Sequence, residues 1–141
     1  MNGQGKKMTI EELLDKPYWI IDILPKQVPK ESPGQFFAVE SYLLGKKRLS
    51  AIKERHIGLV LKLNCYKDIS MGKEEEMNPA PAKLASAMRS GHLLVRVGDA
   101  LILSEKDDTH MTLFNPDEEL LELVRTLASS EGLYVWKGPV E

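Results

Sequence analysis

Two short apolar runs, Leu93-Leu94-Val95-Arg96-Val97 and Ala100-Leu101-Ile102-Leu103, are separated only by Gly98-Asp99. A two-residue connection between strands permits a hairpin and nothing else, because parallel strands need a crossover of a dozen residues or more. Glycine at the first loop position supplies the positive φ of a type II′ turn. Residues 109–114 (Thr-His-Met-Thr-Leu-Phe) follow closely enough to extend the hairpin into a three-stranded meander. Such a meander excludes an all-helical chain and argues against a doubly wound parallel sheet, in which strands alternate with helices.

The remaining segments are read from their punctuation. Thr9 and Glu12 have the spacing of a capping box and start a short helix that ends before Pro17. Residues 18–24 (Tyr-Trp-Ile-Ile-Asp-Ile-Leu) are aromatic and β-branched on both faces, which predicts an inner strand. Three prolines make 25–33 a loop, and Ser32-Pro33-Gly34-Gln35 reads as a helix start, with Gly45 as its stop. A second short helix is expected over 48–55. Residues 57–66 alternate, with Leu59, Leu61, Leu63 and Cys65 on one side and Val60, Lys62, Asn64 and Tyr66 on the other, which predicts a strand. The polar stretch 67–78 reads as a mobile loop and 79–90 as a helix closed by Gly91. Asn115-Pro116-Asp117-Glu118 combines a cap, a proline and a capping glutamate, so a helix is expected up to about residue 130. A last strand is expected over 133–136.

These elements predict a single α+β domain over residues 9–141, preceded by a flexible tail over 1–8. Its sheet is mixed and mostly antiparallel, with about five strands, and its helices pack mainly on one face. With 141 residues the chain can bury roughly 68% of the surface its unfolded form exposes, so it needs neither metal nor disulfide to hold a core. The single cysteine, Cys65, allows no internal disulfide, and no signal segment or bilayer-length apolar run is visible. A soluble cytoplasmic protein without membrane contact is therefore expected.

No Walker loop, paired-glycine dinucleotide fingerprint, Cys-x-x-Cys pair, His-Glu-x-x-His helix or Gly-x-Ser-x-Gly elbow occurs. Cys65 on the Leu59–Leu63 side reads as an inert core thiol. His56 is placed at a helix end, where an imidazole complements the helix dipole. Asp107, Asp108 and His110 offer two carboxylates and an imidazole, enough to suggest acid–base or metal chemistry, although Asp-Asp is also ordinary turn composition. If strand 57–66 joined the meander in one sheet, Lys62, Asn64, Tyr66, Arg96, His110 and Thr112 would share its polar face, and these six are the candidate ligand-binding residues.

Charge is unevenly distributed. Residues 26–55 carry seven bases against three acids, and residues 99–141 carry ten acids against three bases. Such asymmetry can steer a protein partner or a second copy. A pI of about 6.0, with Phe36 and Phe37 expected on the core side of their helix, argues against nucleic acid. The expectation is a non-catalytic binding or protein-interaction module with a protein partner or a homodimer and no cofactor. The alternative is a small enzyme or metal-binding protein built on Asp107, Asp108 and His110.

Overall fold

A computed structural model describes residues 7–139. The hairpin forms as expected: β4 (Leu93–Val97) pairs antiparallel with β5 (Ala100–Ser104). Gly98 turns between them at φ +57°, and Asp99 is not in the positive-φ region, as a type II′ turn requires. β6 (Met111–Phe114) adds to β5, and β1 (Tyr18–Asp22) adds to β6. β7 (Tyr134–Lys137) pairs with the other side of β1, so β1 is an inner strand, as its two apolar faces predict.

The sheet has seven strands rather than five. The stretch 67–78 holds a small hairpin, β2 (Ser70–Met71) and β3 (Glu76–Met77), which extends the sheet beyond β4 in the order β3-β2-β4-β5-β6-β1-β7. Every neighbouring pair is antiparallel. Far from being a polar loop, this stretch is pinned by Asn78. Its carboxamide oxygen accepts from Asn64 Nδ2 at 2.8 Å and from the Ile69 N–H at 3.1 Å, and its nitrogen donates to Asp68 at 3.0 Å. Ile69 and Met71 are buried.

The largest departure from expectation is residues 57–66. They are helical and belong to α3 (Lys46–Asn64), one helix of 19 residues where a short helix and a strand were expected. Its buried side chains, Ile52, Lys53, His56, Ile57, Leu59, Val60 and Leu63, recur at three- and four-residue steps. The Leu59, Leu61, Leu63 alternation is a short stretch of that longer period. Over five residues the two periods are hard to tell apart, and over 19 only the helix satisfies the buried set. Cys65 consequently caps the C-terminal end of α3 and is exposed, not sealed in a core.

α4 (Pro81–Ser90) and α5 (Glu118–Ser130) pack against α3 on one face of the sheet. There Leu59, Leu63, Leu84, Met88, Val95, Ile102, Leu113 and Val124 form the main core. The N-cap of α5 is Asp117, whose carboxylate accepts from the Leu120 N–H at 2.8 Å; Asn115, the expected cap, instead sits at φ +58° and donates to Asp99 O at 2.8 Å. Since β6 and β7 both run antiparallel to β1, α5 carries the chain over β1 between two strands of the same direction.

The opposite face is also apolar, because Leu101 and Phe114 alternate with main-core residues along their strands. α1 (Ile10–Leu14) covers them, with Leu13 fully buried between them. Its capping box forms in both directions. Of the expected tail, residues 1–6 lie outside the described residues, while Lys7 pairs with Glu75 and Met8 packs on this second core.

α2 (Phe36–Leu43) begins later than its sequence signals suggest. Ser32 Oγ accepts from Gly34 N at 3.4 Å, a local turn, and Gln35 makes no side-chain cap bond. None of the eight residues of α2 is buried, and Phe37, expected on the core side, is 79% exposed.

Candidate functional site

The six candidate residues do not share one face. Three depended on a strand over 57–66, and α3 carries Lys62 and Asn64 on the main-core side of the sheet, with Tyr66 just beyond its end and 67% exposed. Lys62 pairs with Glu131 at 2.9 Å and donates to Ser130 at 3.0 Å. Arg96, His110 and Thr112 do face the other side of the sheet, by register. Arg96 is only 6% exposed; its Nε donates to Gly98 O at 3.1 Å, its Nη2 lies 3.8 Å from Asp99, and the guanidinium thereby holds the hairpin turn. Asp107 and Asp108 act electrostatically on Lys53, on the helix side, and do not line the cleft that His110 lines.

Two clusters emerge that the sequence did not announce. The first is buried between α3 and the β5–β6 connection. Lys53, 4% exposed, places its ammonium 3.1 Å from His56 Nδ1, 3.3 Å from Ser104 Oγ and 2.7 Å from Glu105 O. Three N–H bonds thus meet three acceptors. Accepting from Lys53 through Nδ1 assigns the imidazole proton to Nε2, which donates to Thr109 O at 3.3 Å. His56 is fully buried inside the helix rather than at its end. Burial above all, and then the charge of Lys53, push its pKa down to about 3, although the bond to Thr109 opposes them. Burial lowers the Lys53 pKa too, against the pull of Asp108, Glu105 and Asp107. An ammonium with every hydrogen committed is a clamp: it ties α3 to the strand connection and leaves nothing directed at a substrate.

The second cluster opens to solvent on the other face. A cleft of about 340 Å³ lies between the ends of β1, β6 and β7 and the inner side of α2. Its walls are mostly apolar, with Ile20 and Trp136 from the sheet and Phe36, Val39 and Leu43 from α2. The helical residues recur at steps of three and four, which puts them on one face of α2. Trp136 is held in place by its indole N–H, which donates to Leu24 O at 3.1 Å.

Into this cleft come Asp22, Glu40 and His110, with Lys26 at its exposed rim. The β1–β6 register, continued one step past Ile21 and Met111, sets Asp22 opposite His110, and on the other side Asp22 pairs with Tyr134. Asp22 Oδ1 accepts from the Ile23 N–H at 2.7 Å. Burial raises the Asp22 pKa; the backbone N–H groups of Ile23 and Leu24 and the nearby His110 act against this, and the Glu40 charge adds to it. Asp22 was legible only as a strand residue and Glu40 only as a helix residue, so no local pattern pointed to either.

Among the described residues, no group of three His, Cys, Asp or Glu side chains converges closely enough to hold a metal ion. Among the same residues no helix is long and apolar enough to cross a membrane. No family model, no curated protein and no solved structure matches this chain.

Proposed function

We propose that this protein is a non-catalytic binding module whose site is the cleft beneath α2. The observation that supports this reading is an apolar hollow of about 340 Å³ with a few polar groups converging on it. That volume is near the lower end of ligand pockets, about 300–1,000 Å³, and its composition is the usual one for such sites. The binding residues are then His110, from the original six, together with Asp22, Glu40, Ile20 and Trp136. The clamped state of Lys53 and the exposed position of Cys65 away from the cleft supply no assembled nucleophile–base pair, which favours binding over catalysis. A lone thiol with no disulfide partner suits a reducing compartment, and we place the protein in the cytoplasm on that ground.

Titration of the isotope-labelled chain with a neutral aromatic probe, phenethyl alcohol, tests the reading by amide chemical shifts. Saturable shifts confined to residues 20–24, 109–110, 136 and α2 are expected. Unchanged shifts there at millimolar alcohol, and with charged probes carrying the same ring, in a folded sample, would remove the cleft as a binding site.

A second reading has its own observation. The outward side of α2 exposes Phe37 and Tyr42, the latter under the guanidinium of Arg48 at 3.9 Å. A protein partner covering that side is the interaction-module alternative, and it predicts a shift in size-exclusion elution when the partner is added.

A further inference from the structure

Taking the cleft as a binding site, its charges restrict what it binds. Two carboxylates, Asp22 and Glu40, face the same small hollow, and Asp22 feels the charge of Glu40. Among the described residues neither forms an ion pair with a lysine or arginine. Several carboxylates elsewhere are paired: Glu54 with Arg89, Glu76 with Lys83, Glu119 with Lys67 and Glu131 with Lys62. The one cationic side chain lining the cleft, Lys26, is exposed at its rim. The Ile23 and Leu24 N–H groups and the nearby His110 offset only part of the desolvation of the half-buried Asp22 carboxylate, and burial prevails.

We propose that the missing counter-charge is the ligand's, and that the cleft binds a small organic ammonium: a protonated amine on an aromatic or aliphatic body. The nitrogen sits against Asp22 with Glu40 adding charge from α2, and the body lies against Ile20, Phe36 and Trp136. His110, opposite Asp22, completes the polar end. Aromatic walls also suit a cation, whose charge is attracted to ring faces. A bare metal ion is the wrong size for this arrangement, since the acidic and imidazole groups do not converge to coordination distance. An anionic ligand would meet two like charges.

Three probes sharing one ring separate the headgroup from the cleft: phenethylamine, phenethyl alcohol and phenylacetate, each titrated at neutral pH into the labelled full chain. The amine is expected to bind about tenfold more tightly than the alcohol, the scale of one charge-assisted hydrogen bond. Asp22→Asn and Glu40→Gln are each expected to weaken the amine severalfold and to weaken the alcohol by a clearly smaller factor. Asp22→Asn removes a charge that burial disfavours, so it is expected to fold, and Glu40→Gln alters a helix outside the core. If alcohol and amine bind equally, or if phenylacetate binds best, the ammonium inference is overturned and the cleft stands. If none of the three shifts the cleft residues, both are overturned.

Discussion

At the scale of single residues the chain separates charges that are satisfied from charges that are not. His56 is the clearest satisfied case: both ring nitrogens are engaged, and only the neutral form fits. Its pKa is near 6.5 when unfolded and about 3 when folded. The unfolded chain therefore takes up a proton below pH 6.5 that the folded chain refuses. The stability His56 contributes is complete above 6.5 and drains away as pH falls toward 3, at roughly 1.4 kcal/mol per pH unit. Asp22, whose pKa is raised, works in the opposite sense: its contribution is present at low pH and is lost as pH rises through its folded pKa. Denaturant midpoints for the wild type and His56→Gln, measured across this range, isolate the histidine because the Asp22 contribution cancels. The wild type is expected to lose stability more steeply on acidification. Independently, the His56 ring resonances in the folded state are expected not to move down to about pH 4; movement near neutrality would show a solvated imidazole.

Cys65 yields a second residue-scale outcome. Its Sγ lies 3.6 Å from Leu61 O at the exposed end of α3. A thiol reagent is expected to label it stoichiometrically in the native state without change in circular dichroism. Labelling that required denaturant would return Cys65 to a core and with it the strand reading of 57–66.

Elements differ in how much of their logic is local, and that decides how far they could be read in advance. The β4–β5 hairpin was legible because Gly98-Asp99 and the two apolar runs are contiguous. The capping box of α1 was legible for the same reason. α3 was not, since Gly58 and the alternating leucines interrupt its pattern locally while its true period shows only across Ile52, His56, Leu59 and Leu63. Gly58 is explained by packing: a Cβ there would fall within 3 Å of the Glu131 carboxylate, the partner of Lys62. The start of α5 shows how two adjacent cap residues divide the work. Asp117 caps the helix, while Asn115 ties the β6–α5 junction to the hairpin turn through Asp99. Asp117→Ala is expected to cost about 1 kcal/mol by chemical denaturation, the usual worth of an N-cap. Asn115→Ala should leave the helix cap intact and loosen the junction. If it were Asn115→Ala that cost the helix its cap, the assignment of Asp117 would be wrong.

For the whole molecule, the decisive fact is the strand order at one end of the sheet. Placing β1 between β6 and β7 brings residue 22 beside residues 110 and 134, and so builds a cleft floor from segments far apart in sequence. No window of the sequence contains that neighbourhood, which is why His110 was the only titratable residue of this floor to be singled out beforehand. The wall opposite is of a different kind. The strands and α3 are anchored by two cores, whereas α2 is eight residues long, buries none of them and is too short for its backbone alone to sustain a helix in water. Stability is distributed unevenly in such a fold, and segments with little buried apolar surface open at low free-energy cost. Native-state hydrogen exchange is therefore expected to find the α2 amides among the least protected of any helix, with α3, β1, β5 and β6 among the most protected. Phenethylamine at saturating concentration should slow exchange in α2 selectively, because a bound body against Phe36, Val39 and Leu43 gives this helix the apolar contact it otherwise lacks. Protection of free α2 equal to that of α3 would mean that its inner face is already filled, and the cleft would then be a packing gap and not a site awaiting a ligand.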